Sequence, residues 1–434
     1  MQVAIVGYGI EGRSALPYWL GKGADITVCD QDEQADVPQG VAAQLGPDYL
    51  NDLDRFDVIV RTVGMHPKII LAKNPGVQDK ITTNLDEFLR VCPTKNVIGV
   101  TGTKGKGTTS TLILKMLEAA GKKVFLGGNF GIPAFTFLPE LTQDSWVVLE
   151  LSSYMLYDIR HSPHIGVCLM VQPEHLDWHG SVEDYYNSKS HLFAYQTPHD
   201  VAIYYAESVQ SHKIASVSPG DKIAYYDEPG AYVHSDKIMI DQTVLCKTSE
   251  LKLLGKHNWQ NVCAAVTAVW QVVQAPDAIR QVLTTFTGLE HRIEKVRELD
   301  GVTFYNDSFA SDPYASEAAI LAVPGKKLLI AGGWDERKLP LEHFAQVIAD
   351  NAKTLPDVLL IGQSAERLAG ALKTIGYTNF HLSPAHTMPE IVAEARARAQ
   401  KGQSVIFSPG FPSFDMFKNF EDRGQQFKQA VHDL

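Results

Sequence analysis

One stretch limits the folds open to this chain more than any other. The apolar run Val97-Ile98-Gly99-Val100 leads into Gly102-Thr103-Lys104-Gly105-Lys106-Gly107-Thr108-Thr109, and Leu112, Ile113, Met116, Leu117 and Ala120 then follow at helical spacing. A β-branched run, a glycine-rich turn and an amphipathic pattern make a strand–loop–helix unit, with Gly121 placed to end the helix. Glycines let the loop curl until several backbone N–H groups face one point, and the helix N-terminus adds partial positive charge there. That is a cradle for phosphate, with Lys106 placed to reach terminal phosphates and a later hydroxyl free to ligate Mg2+. Counted from Gly102 the spacing is shorter than GxxxxGK[ST], and Gly107 takes the usual hydroxyl slot, which leaves Thr108 as the candidate ligand. Glu150 ends the run Trp146-Val147-Val148-Leu149, a strand-end carboxylate suited to Mg2+ beside such a loop.

Short β-branched runs alternate with helical patterns through most of the 434 residues, the rhythm of parallel sheets with crossover helices. A first block runs from Val3-Ala4-Ile5-Val6 to Asp57-Val58-Ile59-Val60, a second begins at Val97, and a third begins near Gly301 and ends with Ser404-Val405-Ile406-Phe407. The Tyr-rich stretch from Ala202 to Cys246 reads as an antiparallel insertion. The length exceeds one core, and joints are expected near Cys92-Pro93 and Thr287-Gly288. The expectation is an α/β chain of three domains: a Rossmann-like 1–92, a P-loop domain with a mostly parallel sheet over 93–288, and a Rossmann-like 289–434.

Composition removes several function classes. A net charge of -11 argues against a nucleic-acid partner, which would show a basic footprint. Five scattered cysteines without a CxxC pair read as thiols in a reducing compartment. With no run of 18 apolar residues and no signal-peptide pattern after Met1, a cytoplasmic protein without a membrane partner is expected.

The N-terminus carries Gly7-Tyr8-Gly9-Ile10-Glu11-Gly12 behind an apolar run, which alone points to a dinucleotide and an NAD(P)-dependent oxidoreductase. Other motifs change that reading. Glu150-Leu151-Ser152-Ser153, Glu174-His175-Leu176-Asp177, Lys189, Gly255-Lys256-His257-Asn258-Trp259-Gln260-Asn261, Gly288-Leu289-Glu290-His291-Arg292 and Asn306-Asp307-Ser308 follow the glycine loop in one order. Taken together, the set resembles the Mur ligase superfamily over essentially the whole chain. The run Ser408-Pro409-Gly410-Phe411-Pro412-Ser413-Phe414-Asp415-Met416-Phe417-Lys418-Asn419-Phe420 is most similar to the superfamily members that add D-glutamate to UDP-N-acetylmuramoyl-L-alanine.

The resemblance implies an ATP-dependent amide-bond ligase of peptidoglycan precursor synthesis, working through an acyl phosphate. Lys106, His175 and Lys189 would be catalytic. Thr108 and Glu150 would hold one Mg2+ and His175 a second, with Lys189 carrying a CO2-derived carbamate that turns a cation into an oxygen ligand. Asn258 and Asn261 would read adenine, while Arg292 would meet the phosphates and Asp307 the ribose. Ile10, Glu11, Asp30, Gly64, Asn129 (in Gly127-Gly128-Asn129-Phe130-Gly131) and Ser152 match the sugar-nucleotide side. Ser311, Ser413 and Phe420 match the glutamate side. A monomer acting on small molecules is expected.

Departures sit mainly at the acceptor end. Phe309 stands where the family has a lysine, and the lysine after Gly332-Gly333 has no clean counterpart, leaving Arg337 or Lys338 as substitutes. Met155, Met170 and Glu174 replace an expected Gln, Asn and Asp. These changes leave open L-glutamate or another amino acid. Gly107 is shared with folylpolyglutamate-type ligases, the nearest alternative. An NAD(P)-dependent oxidoreductase using Gly7 to Gly12 is the reading from another class, and a P-loop NTPase that switches a partner is a third.

Overall fold

The computed structural model describes residues 1–129, 132–336 and 338–434. These form two compact units, Met1–Glu250 with Trp259–Thr284, and Leu251–Asn258 with Thr285–Leu434.

The first unit contains two parallel sheets. The first has β1 (Gln2–Val6), β2 (Asp25–Asp30), β3 (Ala42–Leu45), β4 (Val58–Arg61) and β5 (Ile81–Thr83) in the order β3-β2-β1-β4-β5. The second has β6 (Val97–Thr101), β7 (Val124–Gly128), β8 (Trp146–Glu150), β9 (Ile165–Cys168), β10 (Val201–Tyr205) and β11 (Asp221–Tyr225) in the order β11-β10-β9-β6-β8-β7. Strands buried on both faces read as unbroken apolar runs, and all five residues of β6 are buried. Val3, Ile5, Val60, Phe88, Val97, Val147 and Leu149 belong to one apolar cluster, so the two sheets share a core.

The expected antiparallel insertion is only half correct. β10 and β11 are parallel members of the central sheet, with Val201 paired to both Ile165 and Asp221. Ala202 and Ile203 are fully buried, and the helix Val209–Ala215 supplies the crossover that a parallel return requires. The antiparallel part is confined to β12 (Tyr232–His234), β13 (Lys237–Ile240) and β14 (Thr243–Lys247), with β13 in the middle.

The second unit is built on β15 (Glu294–Leu299), β16 (Val302–Asn306), β17 (Lys327–Gly332), β18 (Asp357–Ile361), β19 (Phe380–Leu382) and β20 (Ser404–Phe407) in the order β15-β16-β20-β17-β18-β19. Side-chain alternation divides its core in two. Leu329, Val358, Leu360 and Ile406 pack on one face, and Leu328, Leu359, Ile361, Val405 and Phe407 on the other. The charged edge strand β15 pairs antiparallel with β16; Glu294, Lys295, Arg297 and Glu298 hide it from a search for apolar runs.

The strand orders locate the crevices. Neighbours diverge beyond the carboxyl ends of β1 and β4, of β6, β8 and β9, and of β16, β17 and β20, which is where parallel sheets bind ligands. No helix among the described residues is long and apolar enough to cross a membrane.

Candidate active site

The glycine loop leaves β6 at the central crevice. Gly102 and Gly105 adopt φ +152 and +89, and Gly105 immediately precedes the helix Lys106–Ala119. A Cβ on Gly105 would run into the Asn261 side chain, and one on Gly102 would lie 2.7 Å from Leu169 Cβ. Thr103 fixes the turn: its N–H donates to Met170 O (3.0 Å), and its hydroxyl meets Gln172 O and Tyr185 Oη (both 2.9 Å). Lys106 Nζ lies over the loop, donating to Gly102 O (3.1 Å) and Thr103 O (3.0 Å). Lys104 is exposed. Gly107, Thr108 and Thr109 form the buried first turn of the helix.

Glu150, Lys189 and His175 gather around this loop. Glu150 ends β8 beside β6 and is 4% exposed. Its Oε1 accepts from Asn129 Nδ2 (3.0 Å), while its Oε2 is buried with no hydrogen-bond partner among the described residues. Lys189 is 1% exposed, and its Nζ donates to Gly102 O (3.1 Å) and Thr101 Oγ1 (3.4 Å). Burial, followed by the nearby Lys106 cation, pulls the Lys189 pKa down to about 7. His175 sits at φ +58, with its ring 4.9 Å from that of Tyr154 and 6.5 Å from that of Tyr185. Burial holds its imidazole below the ordinary pKa; Glu174 opposes that shift, and Lys106 and Lys189 add to it. A neutral imidazole keeps a lone pair for a metal.

At the crevice of the first sheet, Gly7 has φ +94, and a Cβ on Gly12 would overlap Gly7 O. This is the close strand–helix packing that the glycine motif requires. Asp30 accepts from the backbone N–H groups of Tyr8 and Asp32. Glu11 accepts from Asn84 Nδ2 (2.7 Å), and burial raises its pKa. Ile10 is 76% exposed, and Gly64 O accepts from Trp178 Nε1 (3.0 Å). Ser152 caps the short helix Ser153–Leu156. Asn129 is tied to Glu150 and so belongs with the central crevice.

In the second unit Asp307 is buried at the end of β16, accepting from Ser408 Oγ (2.6 Å) and Ile293 N–H (3.1 Å). Burial raises its pKa to about 7. The Arg292 guanidinium lies 3.6 Å from the Phe309 ring centroid, and Phe309 meets Phe420 edge to face at 5.0 Å. Ser413 is 2% exposed and Ser311 half-buried. Asn258 is inside its helix, with Nδ2 donating to Leu254 O (2.6 Å).

Comparison with known proteins decides the family. The model of the Mur ligase middle domain matches residues 100–269. The UDP-N-acetylmuramoylalanine–D-glutamate ligase of Acetivibrio thermocellus is 37% identical, with 100% of this chain and 96% of the relative covered. That of Clostridium kluyveri is 36% identical over 100% and 97%. The chain belongs to the UDP-N-acetylmuramoylalanine–D-glutamate ligase family of the Mur ligases. Among solved structures, the Thermotoga maritima UDP-N-acetylmuramate–alanine ligase MurC has a TM-score of 0.62 at 16% identity, covering 100% of this chain and 99% of its own. The MurF ligase of the same organism has 0.61 at 18%, covering 99% and 94%. Those two likenesses speak for the fold.

As a Mur ligase, the chain uses ATP and Mg2+, and its central crevice fits that pair. A buried carboxylate oxygen without a partner among the described residues and a threonine in the first helical turn are the oxygen donors a hard cation takes, and the His175 imidazole adds a nitrogen nearby. Of the two residues that could replace the absent lysine after Gly332-Gly333, Lys338 has its Nζ 3.4 Å from Asp335, which Arg367 also holds with two bonds of 2.7 Å. Arg337 lies outside the described residues, as do Phe130 and Gly131. Sequence reasoning missed Arg423, which is 1% exposed. Its guanidinium joins Ser308 O (2.8 Å), Ser308 Oγ (3.0 Å) and Phe411 O (3.0 Å). In sequence it is one cation in a polar helix, without a signal of its own.

Proposed function

We propose that this Mur ligase joins glutamate, as the D isomer, to UDP-N-acetylmuramoyl-L-alanine at the expense of ATP. The observation that carries the reading is the gathering of Lys106, Lys189 and His175 at one glycine loop, with Glu150 on the strand beside the one that leads into it, in a chain matched end to end by D-glutamate ligases.

The reaction has two steps. The substrate carboxylate attacks the γ-phosphorus, the bond to the β-bridging oxygen breaks, and acyl phosphate and ADP form. The amine of glutamate then attacks the acyl carbon, and inorganic phosphate leaves. Negative charge gathers in both steps, so fixed cations and aimed N–H groups carry most of the catalysis. Lys106 swings from the loop carbonyls to the β,γ-phosphates, which the N–H groups around Gly105 cradle. Mg2+ neutralises phosphate charge when bound, and Thr108, Glu150, His175 and a carbamate on Lys189 would hold two such ions. Carbamylation needs a neutral amine, and a lysine whose pKa has fallen to about 7 supplies one near neutral pH. Arg292, Asp307, Asn258 and Asn261 serve the nucleotide, and Ser311, Ser413 and Phe420 the acceptor. In this reading residues 1–92 hold the sugar nucleotide, 93–288 hold ATP and 289–434 hold glutamate, in a cytoplasmic monomer.

The test is phosphate release from ATP with Mg2+, UDP-N-acetylmuramoyl-L-alanine and D- or L-glutamate supplied separately. Release that requires both sugar nucleotide and D-glutamate supports the reading. Release without an acceptor, or with L-glutamate alone, sinks it.

A further inference from the structure

One contact joins two loops that are remote in sequence and adjoin different crevices of the first unit. Trp178 Nε1 donates to Gly64 O at 3.0 Å, across 114 positions. Gly64 follows β4 at the crevice of the first sheet, and Trp178 lies in the short helix Leu176–His179 directly after His175. The Gly64 loop is itself wrapped around a cation. Arg61 is fully buried, and its Nη1 donates to Thr62 O (3.2 Å), Val63 O (3.4 Å) and Met65 O (2.9 Å). Its Nε holds Asp158 (2.8 Å), and its Nη2 reaches Tyr154 O (3.2 Å). The loop is therefore tied through Arg61 to the segment after Glu150, and through Trp178 to the segment after His175.

Trp178 also shapes His175 directly. The left-handed backbone of His175 is closed by N–H donations from Trp178 (3.1 Å) and His179 (3.0 Å) to its carbonyl. The indole packs against His66 (4.4 Å), Tyr154 (4.8 Å) and Tyr157 (5.2 Å), and Tyr154 in turn faces His175 at 4.9 Å. His66 Nδ1 accepts from Lys68 N–H, while its Nε2 is buried with no hydrogen-bond partner among the described residues.

We propose that Trp178 is a positioning residue that couples the Gly64 loop to His175, so that sugar-nucleotide binding and Mg·ATP binding strengthen each other through its indole. The assignment of those ligands to the two loops rests on the function proposed above. A ligand resting on the Gly64 loop fixes the carbonyl that Trp178 grips. The indole then holds its helix, and with it the turn carrying His175, so the second ligand meets a site already ordered.

The experiment is calorimetric titration of the full chain with the Mg2+ complex of AMP-PNP, with and without saturating UDP-N-acetylmuramoyl-L-alanine. In the wild type the sugar nucleotide tightens analogue binding about fivefold or more, and the analogue tightens sugar-nucleotide binding by the same factor. Trp178→Phe keeps a stacked ring and removes the donor. It brings the factor below about twofold while leaving the analogue's own affinity within about twofold. If W178F does not fold, Trp178→His, which keeps a ring N–H, replaces it and gives a factor between the two. Independent binding of both ligands to the wild type, or an unchanged factor in the folded variant, overturns the coupling. A wild-type chain that binds neither ligand refutes the functional reading itself.

Discussion

At the mouth of the central sheet, charge is abundant and close to the backbone turn. Lys106 and Lys189 share Gly102 O as acceptor, Glu150 keeps one oxygen without a partner among the described residues, and burial holds His175 below its ordinary pKa. At the mouth of the C-terminal sheet, Phe309 and Phe420 meet edge to face, Ser413 is buried, and the Arg423 guanidinium is bound by two carbonyls and a hydroxyl. Both crevices lie at the carboxyl ends of parallel strands, yet one is equipped for a polyanion and the other for a shape. Phosphoryl transfer needs fixed charge aimed where negative charge gathers, whereas a neutral-walled crevice can hold a ligand in one orientation.

The contrast fails most visibly if the central cations are dispensable. Lys106→Ala is expected to lower kcat about a thousandfold with an unchanged circular dichroism spectrum; turnover near normal removes the phosphate role. Lys189→Ala is expected to lose about a hundredfold, partly recovered by formate or acetate, whose carboxylates replace a carbamate. No recovery, together with an unmodified Lys189 by mass, eliminates the modification. At the other crevice, Phe309→Lys is expected to lower KM for glutamate about tenfold and to leave KM for ATP unchanged. An unchanged or higher glutamate KM shows that this site is already complete without that cation.

The last effect is on stability and concerns Asp307. Its carboxyl titrates near 7 when folded, against an ordinary value of 3.8, so the folded chain binds that proton more tightly than the unfolded one. Stability therefore drains away as pH rises from about 4 to about 7, and the loss is complete above that. Asparagine cannot ionise. Relative to wild type, Asp307→Asn should gain roughly 1–4 kcal/mol across that window, read from urea midpoints at pH 5 and pH 8. A pH-independent difference contradicts the buried carboxyl.

The central site was legible because its residues are consecutive or lie at strand ends: Gly102 to Thr109 forms one loop, and Glu150 closes an apolar run. Strands buried on both faces were legible for the same reason, as continuous Val, Ile and Leu. What escaped was carried by long-range contact or by charged edges. β15 reads as a polar segment because it pairs on one side only. β10 and β11 read as part of an antiparallel insertion because tyrosines outweigh the short crossover helix between them. Arg423, Arg61 and Trp178 matter through partners 12 to 115, up to 97, and 114 positions away, a distance at which no spacing rule operates.

The aromatic pair Phe309 and Phe420 also bears on inhibition. A glutamate mimic built to place its carboxylate against a lysine finds at position 309 a ring with Arg292 stacked on it. On the assignment of this crevice to glutamate proposed above, such a compound would lack that anchor, and one carrying an aryl group would meet Phe309 and Phe420 instead.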